Sequence, residues 1–175
     1  MPWLNGLGTT VELAREDGPG EAGFLWRLSR ADVAQSGPFS NFPGVDRTLL
    51  LLSGAGFTLA FGGGEVVLDK CYEMARFPGD APVDCTLRDG PCKDFNIMVD
   101  RRRARADVVL YDTAFASHAS SRTLLCVFEG EWVLHVDGKK TGMPEDSLAL
   151  LKGESGEAYQ VRGNGVLLRI NIEFL

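Results

Sequence analysis

The chain has 175 residues, 45% of them hydrophobic, with a net charge of -6 and a pI near 4.9. That length suits one domain or two small fused ones and suffices for a sizeable core. The acidic balance argues against a nucleic-acid surface, and no apolar run approaches the roughly 20 residues that span a bilayer.

Twenty-one glycines against four methionines point to tight turns rather than long helices. The glycine-rich stretch from Asn5 becomes extended at Thr9 to Val11. Trp26 to Ser29 alternates apolar and polar residues, which predicts a strand with Arg27 and Ser29 on one face and Trp26 and Leu28 on the other. Arg30 to Gln35 reads as a single helical turn, and Gly37 to Gly44 as a loop. Strands are predicted over Thr48–Leu52, Phe57–Phe61, Glu65–Leu68, Tyr72–Phe77, Val83–Leu87 and Phe95–Val99, separated by glycine and proline turns. Arg101-Arg102-Arg103 lies between Asp100 and Asp107 and reads as a solvated turn or protected strand edge. Further strands follow over Asp107–Asp112, Thr123–Phe128, Trp132–Val136, Ser147–Leu151 and Val166–Ile172. No segment keeps helical spacing over three turns. The chain is all-β, a barrel or a sandwich.

A gapless repeat runs through this pattern: Arg47 to Leu59 (RTLLLLSGAGFTL) matches Arg122 to Leu134 (RTLLCVFEGEWVL), 75 residues on. Phe57 stands where Trp132 does, and each copy carries a strand, a small-residue turn and a second strand. The expectation is two similar jelly-roll modules packed into one body, with Phe57 and Trp132 both directed inward.

Several segments are together similar to the HutD/Ves family. They are Pro2 to Glu12 (PWLNGLGTTVE), Trp26 to Ser29 (WRLS), Gly37 to Arg47 (GPFSNFPGVDR) and Asp89 to Met98 (DGPCKDFNIM). The resemblance covers essentially the whole chain. It implies a bicupin, two cupin-like β-barrel halves, placed at 1–99 and 100–175 with strands exchanged between them. It also implies a role tied to bacterial histidine utilisation, where binding or sensing of an intermediate such as N-formylglutamate has been proposed, or to stress responses. No enzymatic reaction comes with it. Where the family commonly has Lys and Gly this chain has Leu4 and Leu7, and where it often has Arg this chain has Val11 and Thr86. Those changes bear on any anionic ligand that basic groups at these positions would touch.

Cupin metal sites use HxH, a Glu and a further His. Here His135 lies alone between Leu134 and Val136, and His118 sits in a separate polar stretch, so no metal or other cofactor is expected. Phosphate loops and a GxSxG elbow are absent. Cys71, Cys85, Cys92 and Cys126 form no CxxC pair, and no charged-then-apolar leader opens the sequence, so reduced thiols and the cytoplasm are the expectation. Cys92, after Pro91 in a turn, reads as a candidate exposed thiol without a base to activate it.

What remains is a ligand pocket. Trp3, Asn5, Trp26, Arg27, Ser29, Asp94 and Asn96 combine aromatic bulk with hydrogen-bonding groups. Arg27 offers a fork to a carboxylate, Asn5 and Asn96 suit an amide or formyl group, and Asp94 suits a ligand N–H. The bland counterpart is a salt bridge from Arg27 to Glu12 or Asp94, with Asp94 and Asn96 capping a turn. Three readings stand: a binding or regulatory protein for a small anionic metabolite, which is favoured; a metal-independent enzyme marked by a shifted acid beside the pocket; and a structural or interaction module. Neither nucleic acid nor membrane is an expected partner. A dimer is compatible with the sequence.

Overall fold

The computed structural model describes residues 8–152 and 156–175. The chain divides into two compact units, Met1–Arg103 and Ala104–Leu175. Among the described residues every regular element is a strand, and no helix is long and apolar enough to cross a membrane.

The first unit holds β1 (Gly8–Asp17), β2 (Phe24–Val33), β3 (Gly37–Pro38), β4 (Val45–Ser53), β5 (Phe57–Phe61), β6 (Gly64–Leu68), β7 (Met74–Pro78), β8 (Val83–Leu87) and β9 (Cys92–Asp100). Five form an antiparallel sheet in the order β1-β2-β9-β4-β7, and four form a second sheet, β3-β8-β5-β6. Leu49, Leu51, Phe57, Leu59, Val83 and Cys85, contributed by both sheets, make its core. The expected helical turn at Arg30–Gln35 is absent, because β2 continues to Val33 in register with β9. The alternation Ala31, Asp32, Val33 is strand-like, and the pairing partner overrides local propensity. Cys92 is buried, with its Sγ against the Gly56 carbonyl at 3.4 Å, so it is not an exposed thiol.

The second unit holds β10 (Ala104–His118), β11 (Arg122–Val136), β12 (Lys139–Met143), β13 (Leu148–Leu151) and β14 (Ala158–Phe174). β10 and β11 flank β14, and the two ends of β11 pair with β13 and β12. Each sheet takes its strands from one unit. The two strands expected over Thr123–Val136 are one long strand. Gly130 lets it turn without leaving the sheet, at a left-handed φ of 81° beside a register shift between Val127 and Glu129.

The duplication is visible in the pairing. Phe57 faces Leu68 and Trp132 faces Met143; Thr48 faces Arg76 and Thr123 faces Leu151, each pair 75 residues from its counterpart. Phe57 and Trp132 are both fully buried, in their own units' cores. Over the first strand, however, the gapless match is one residue out. The first core takes Leu49 and Leu51, whereas the second takes Leu125 and Val127. Residues 52–56 separate Leu51 from Phe57, but only 128–131 separate Val127 from Trp132. A slip of one residue moves a whole strand's side chains to the opposite face.

Candidate functional site

The inner face of the five-stranded sheet carries core residues such as Val33, Leu49, Leu51 and Phe77, and a cluster of polar side chains beside them. Register explains which side chains meet. Ala31, Asp94 and Leu51 lie in one row across β2, β9 and β4; Ser29, Asn96 and Leu49 in the next; Arg27, Met98 and Arg47 in the third. Period two then puts Arg27 and Ser29, and likewise Asp94 and Asn96, on one face. The chain between β3 and β4 adds Phe39, Ser40 and Phe42. With Arg27, Ser29, Arg47, Asp94, Asn96 and Met98 they line an open cavity of about 60 Å³.

A buried chain of hydrogen bonds runs along its wall. Arg47 Nη2 donates to Asn96 Oδ1 at 2.7 Å, and Asn96 Nδ2 donates to Asp94 Oδ1 at 2.6 Å. Arg47 Nη1 reaches the Ser40 carbonyl at 3.4 Å. The Arg47 guanidinium lies 5.4, 5.5 and 5.1 Å from the ring centres of Phe39, Phe42 and Phe77, where the π faces offset part of its lost hydration. Burial lowers its pKa to about 10, opposed by Asp94 and assisted by Arg27, so it stays cationic at neutral pH. Burial also raises Asp94, to about 7, against the pull of Arg47 and the Asn96 hydrogen bond. The Ser29 hydroxyl and Arg47 Nε are buried with no hydrogen-bond partner among the described residues.

The sequence candidates divide accordingly. Arg27, Ser29, Asp94 and Asn96 converge on the cavity. Arg27 also makes the salt bridge expected of its bland reading, Nε to Glu12 Oε2 at 2.7 Å, so one of its donors is committed. Trp26 does not join them. It lies on the other face of β2, and its indole donates to Glu16 at 2.8 Å. Trp3 and Asn5 fall outside the described residues, as do Leu4 and Leu7. Val11 and Thr86, the other departures from the family pattern, are exposed and do not line the cavity.

Arg47 is the residue that sequence reasoning missed. Its signal was present: Arg47, Leu49 and Leu51 share a face in a strand otherwise read as buried, and a charge on such a face needs a partner.

Two other concavities contrast with this site. Arg101 to Arg103 border a groove of about 510 Å³, but Arg101 is held by Asp46 and Asp80, and Arg103 by Asp100. The charges of Arg101 and Arg103 are thus paired locally. In the second unit His118 and His135 line an open groove of about 360 Å³ on strands separated by β14. No group of three or more metal-ligating side chains converges among the described residues.

A family model described as HutD matches residues 1–169. The chain is 32% identical over 173 residues to an uncharacterised 21.2 kDa protein of the hutC 3′ region of Pseudomonas putida, covering 99% of this chain and 87% of that one. It is 37% identical over 134 residues to the protein Ves of Cronobacter sakazakii, covering 76% and 73%. The fold superimposes on HutD from Pseudomonas fluorescens SBW25, a structure obtained in a formate condition. The TM-score is 0.87 at 32% identity, over 100% of this chain and 93% of that one.

Proposed function

The chain belongs to the HutD family, and from that premise we propose that its first unit binds a small carboxylate-bearing metabolite as a binding or regulatory protein. The observation that carries this reading is the pair of guanidiniums, Arg27 and Arg47, facing one small cavity. Among the described residues Glu12 is the one side chain bonded to Arg27, and Arg47 meets neutral Asn96. Two cations with one bonded carboxylate and an acid near neutrality favour an anion.

A cavity of about 60 Å³ has room for a carboxylate or formyl group, with the rest of a larger molecule at the mouth. Asn96, Ser29 and Asp94 supply donors and acceptors suited to an acylated amino acid such as N-formylglutamate. The test is calorimetric titration with formate, N-formylglutamate, glutamate, urocanate and histidine, of wild type and of Arg27→Lys. Lysine keeps the charge and loses the fork, so binding should weaken by about 2 kcal/mol or more with the fold intact. Equal affinity of the two proteins for a tightly bound carboxylate removes Arg27 from the site.

A second reading draws on Asp94. A buried carboxyl with a pKa near 7 beside a cavity is what general acid–base catalysis uses, and a metal-independent hydrolase or isomerase would employ it. Following N-formylglutamate by NMR separates the two readings: turnover that is lost in Asp94→Asn favours the enzyme.

A further inference from the structure

We propose that the pocket takes up a proton together with its anion, and that Asp94 receives this proton and presents it to the bound anion as a hydrogen-bond donor. The proposal rests on the anion-binding reading and names the regulation of that same site.

Geometry carries it. Asp94 is 1% exposed and lines the cavity with Ser29 and both arginines. Its carboxylate's one hydrogen bond among the described residues is from Asn96 to Oδ1. Asn96 stands between Asp94 and Arg47, so cation and carboxyl meet through an amide rather than head-on. An anion seated against the Arg27 and Arg47 side chains that line the cavity brings a second negative group into the same poorly solvated space. Two such groups do not both stay ionised there. A proton from solvent then converts the Asp94 carboxylate to the acid, no other bond being made or broken. The acid is a donor where the carboxylate only accepts, and the Ser29 hydroxyl can join the same contact.

Among the described residues the charged and titratable groups around Asp94 are few. They are Arg27 and Asp32 on β2, Glu12 on β1 bonded to Arg27, Arg47 on β4, Cys85 on β8 and Cys92 on its own strand. Burial and Asp32 favour the proton, while Arg47 and Asn96 oppose it, leaving the free protein's carboxyl at about 7. The balance is close enough for one added charge to shift it.

Calorimetry of wild type with sodium formate at pH 6, 7 and 8, each in two buffers of different ionisation enthalpy, counts the protons taken up. The expected result is uptake rising to about one proton per anion at pH 8, with affinity falling up to about tenfold per pH unit above 7. Asp94→Asn should bind with neither dependence. Wild-type binding whose heat is independent of buffer, or uptake that persists in Asp94→Asn, overturns the proton coupling and leaves anion binding standing. No binding by wild type at pH 6 overturns both. The wild-type buffer comparison decides the matter even if the variant fails to fold.

Discussion

Arg27 and Arg47 both face Met98 in the strand register, one from each side, so two guanidiniums flank a single methionine across three strands. Their surroundings differ. Arg47 is 6% exposed, bonded to Asn96 and set among three phenylalanine rings. Arg27 pairs with a Glu12 side chain that is 31% exposed.

Arg47→Ala should therefore cost about 3–5 kcal/mol of stability, the range for breaking a buried charge network. Arg27→Ala should cost no more than about 1 kcal/mol, as partly exposed ion pairs do. Urea unfolding of the two variants checks the contrast, and equal losses would contradict it.

Asn96→Ala removes the amide between Arg47 and Asp94 and leaves both without that partner. The expected cost is about 1.5–3 kcal/mol, read from the denaturant midpoint at an unchanged slope. A neutral substitution would show that cavity water replaces the amide fully.

Asp94 makes stability fall as pH rises. Its folded pKa of about 7 lies above the ordinary 3.8, so the folded state holds the proton more tightly than the unfolded chain. That advantage is complete below about pH 4 and is lost as pH rises through about 7, up to about 4 kcal/mol in all. Relative to Asp94→Asn, wild type should lose stability between pH 4.5 and 7.5 and change little above. A difference that stays flat over this range contradicts the burial of an ionisable Asp94.

Gly130 and Gly165 face each other in the register with φ of 81° and 128°. A Cβ on Gly130 would run into the Asn164 carbonyl. Gly130→Ala should destabilise the protein by at least about 1–3 kcal/mol, measured by thermal or urea unfolding. An unaffected variant would mean that the bend in β11 does not depend on this glycine.

Among the four cysteines only Cys71 is exposed; Cys85, Cys92 and Cys126 are buried. Burial raises the Cys85 thiol to about 12, which suppresses its reactive thiolate further. A thiol reagent should modify one cysteine rapidly in the native protein and the others only after unfolding. Rapid labelling of Cys71→Ser would contradict this.

Much of the site was legible because a strand's period is two. Arg27 with Ser29, and Asp94 with Asn96, are each two residues apart, so local geometry alone put each pair on a shared face. The same rule already set Trp26 on the opposite face from Arg27, and there it lies, bonded to Glu16. Alternation likewise marked the strands, and the repeated turns marked the duplication of the halves.

Local spacing could not say which strands become neighbours. β9 inserts between β2 and β4, joining segments far apart in the chain, and this pairing alone brings Arg47 to Asn96 and opposite Arg27. Nor could a gapless match reveal the one-residue difference between the spacers 52–56 and 128–131, which sets the inward residues of the two halves one position apart. Thus composition, alternation and turn residues determined an all-β chain of two related halves with polar groups on a strand face. The long-range hydrogen-bond register, a property of paired backbones, decided that those groups form one cavity and that a buried arginine stands in its wall.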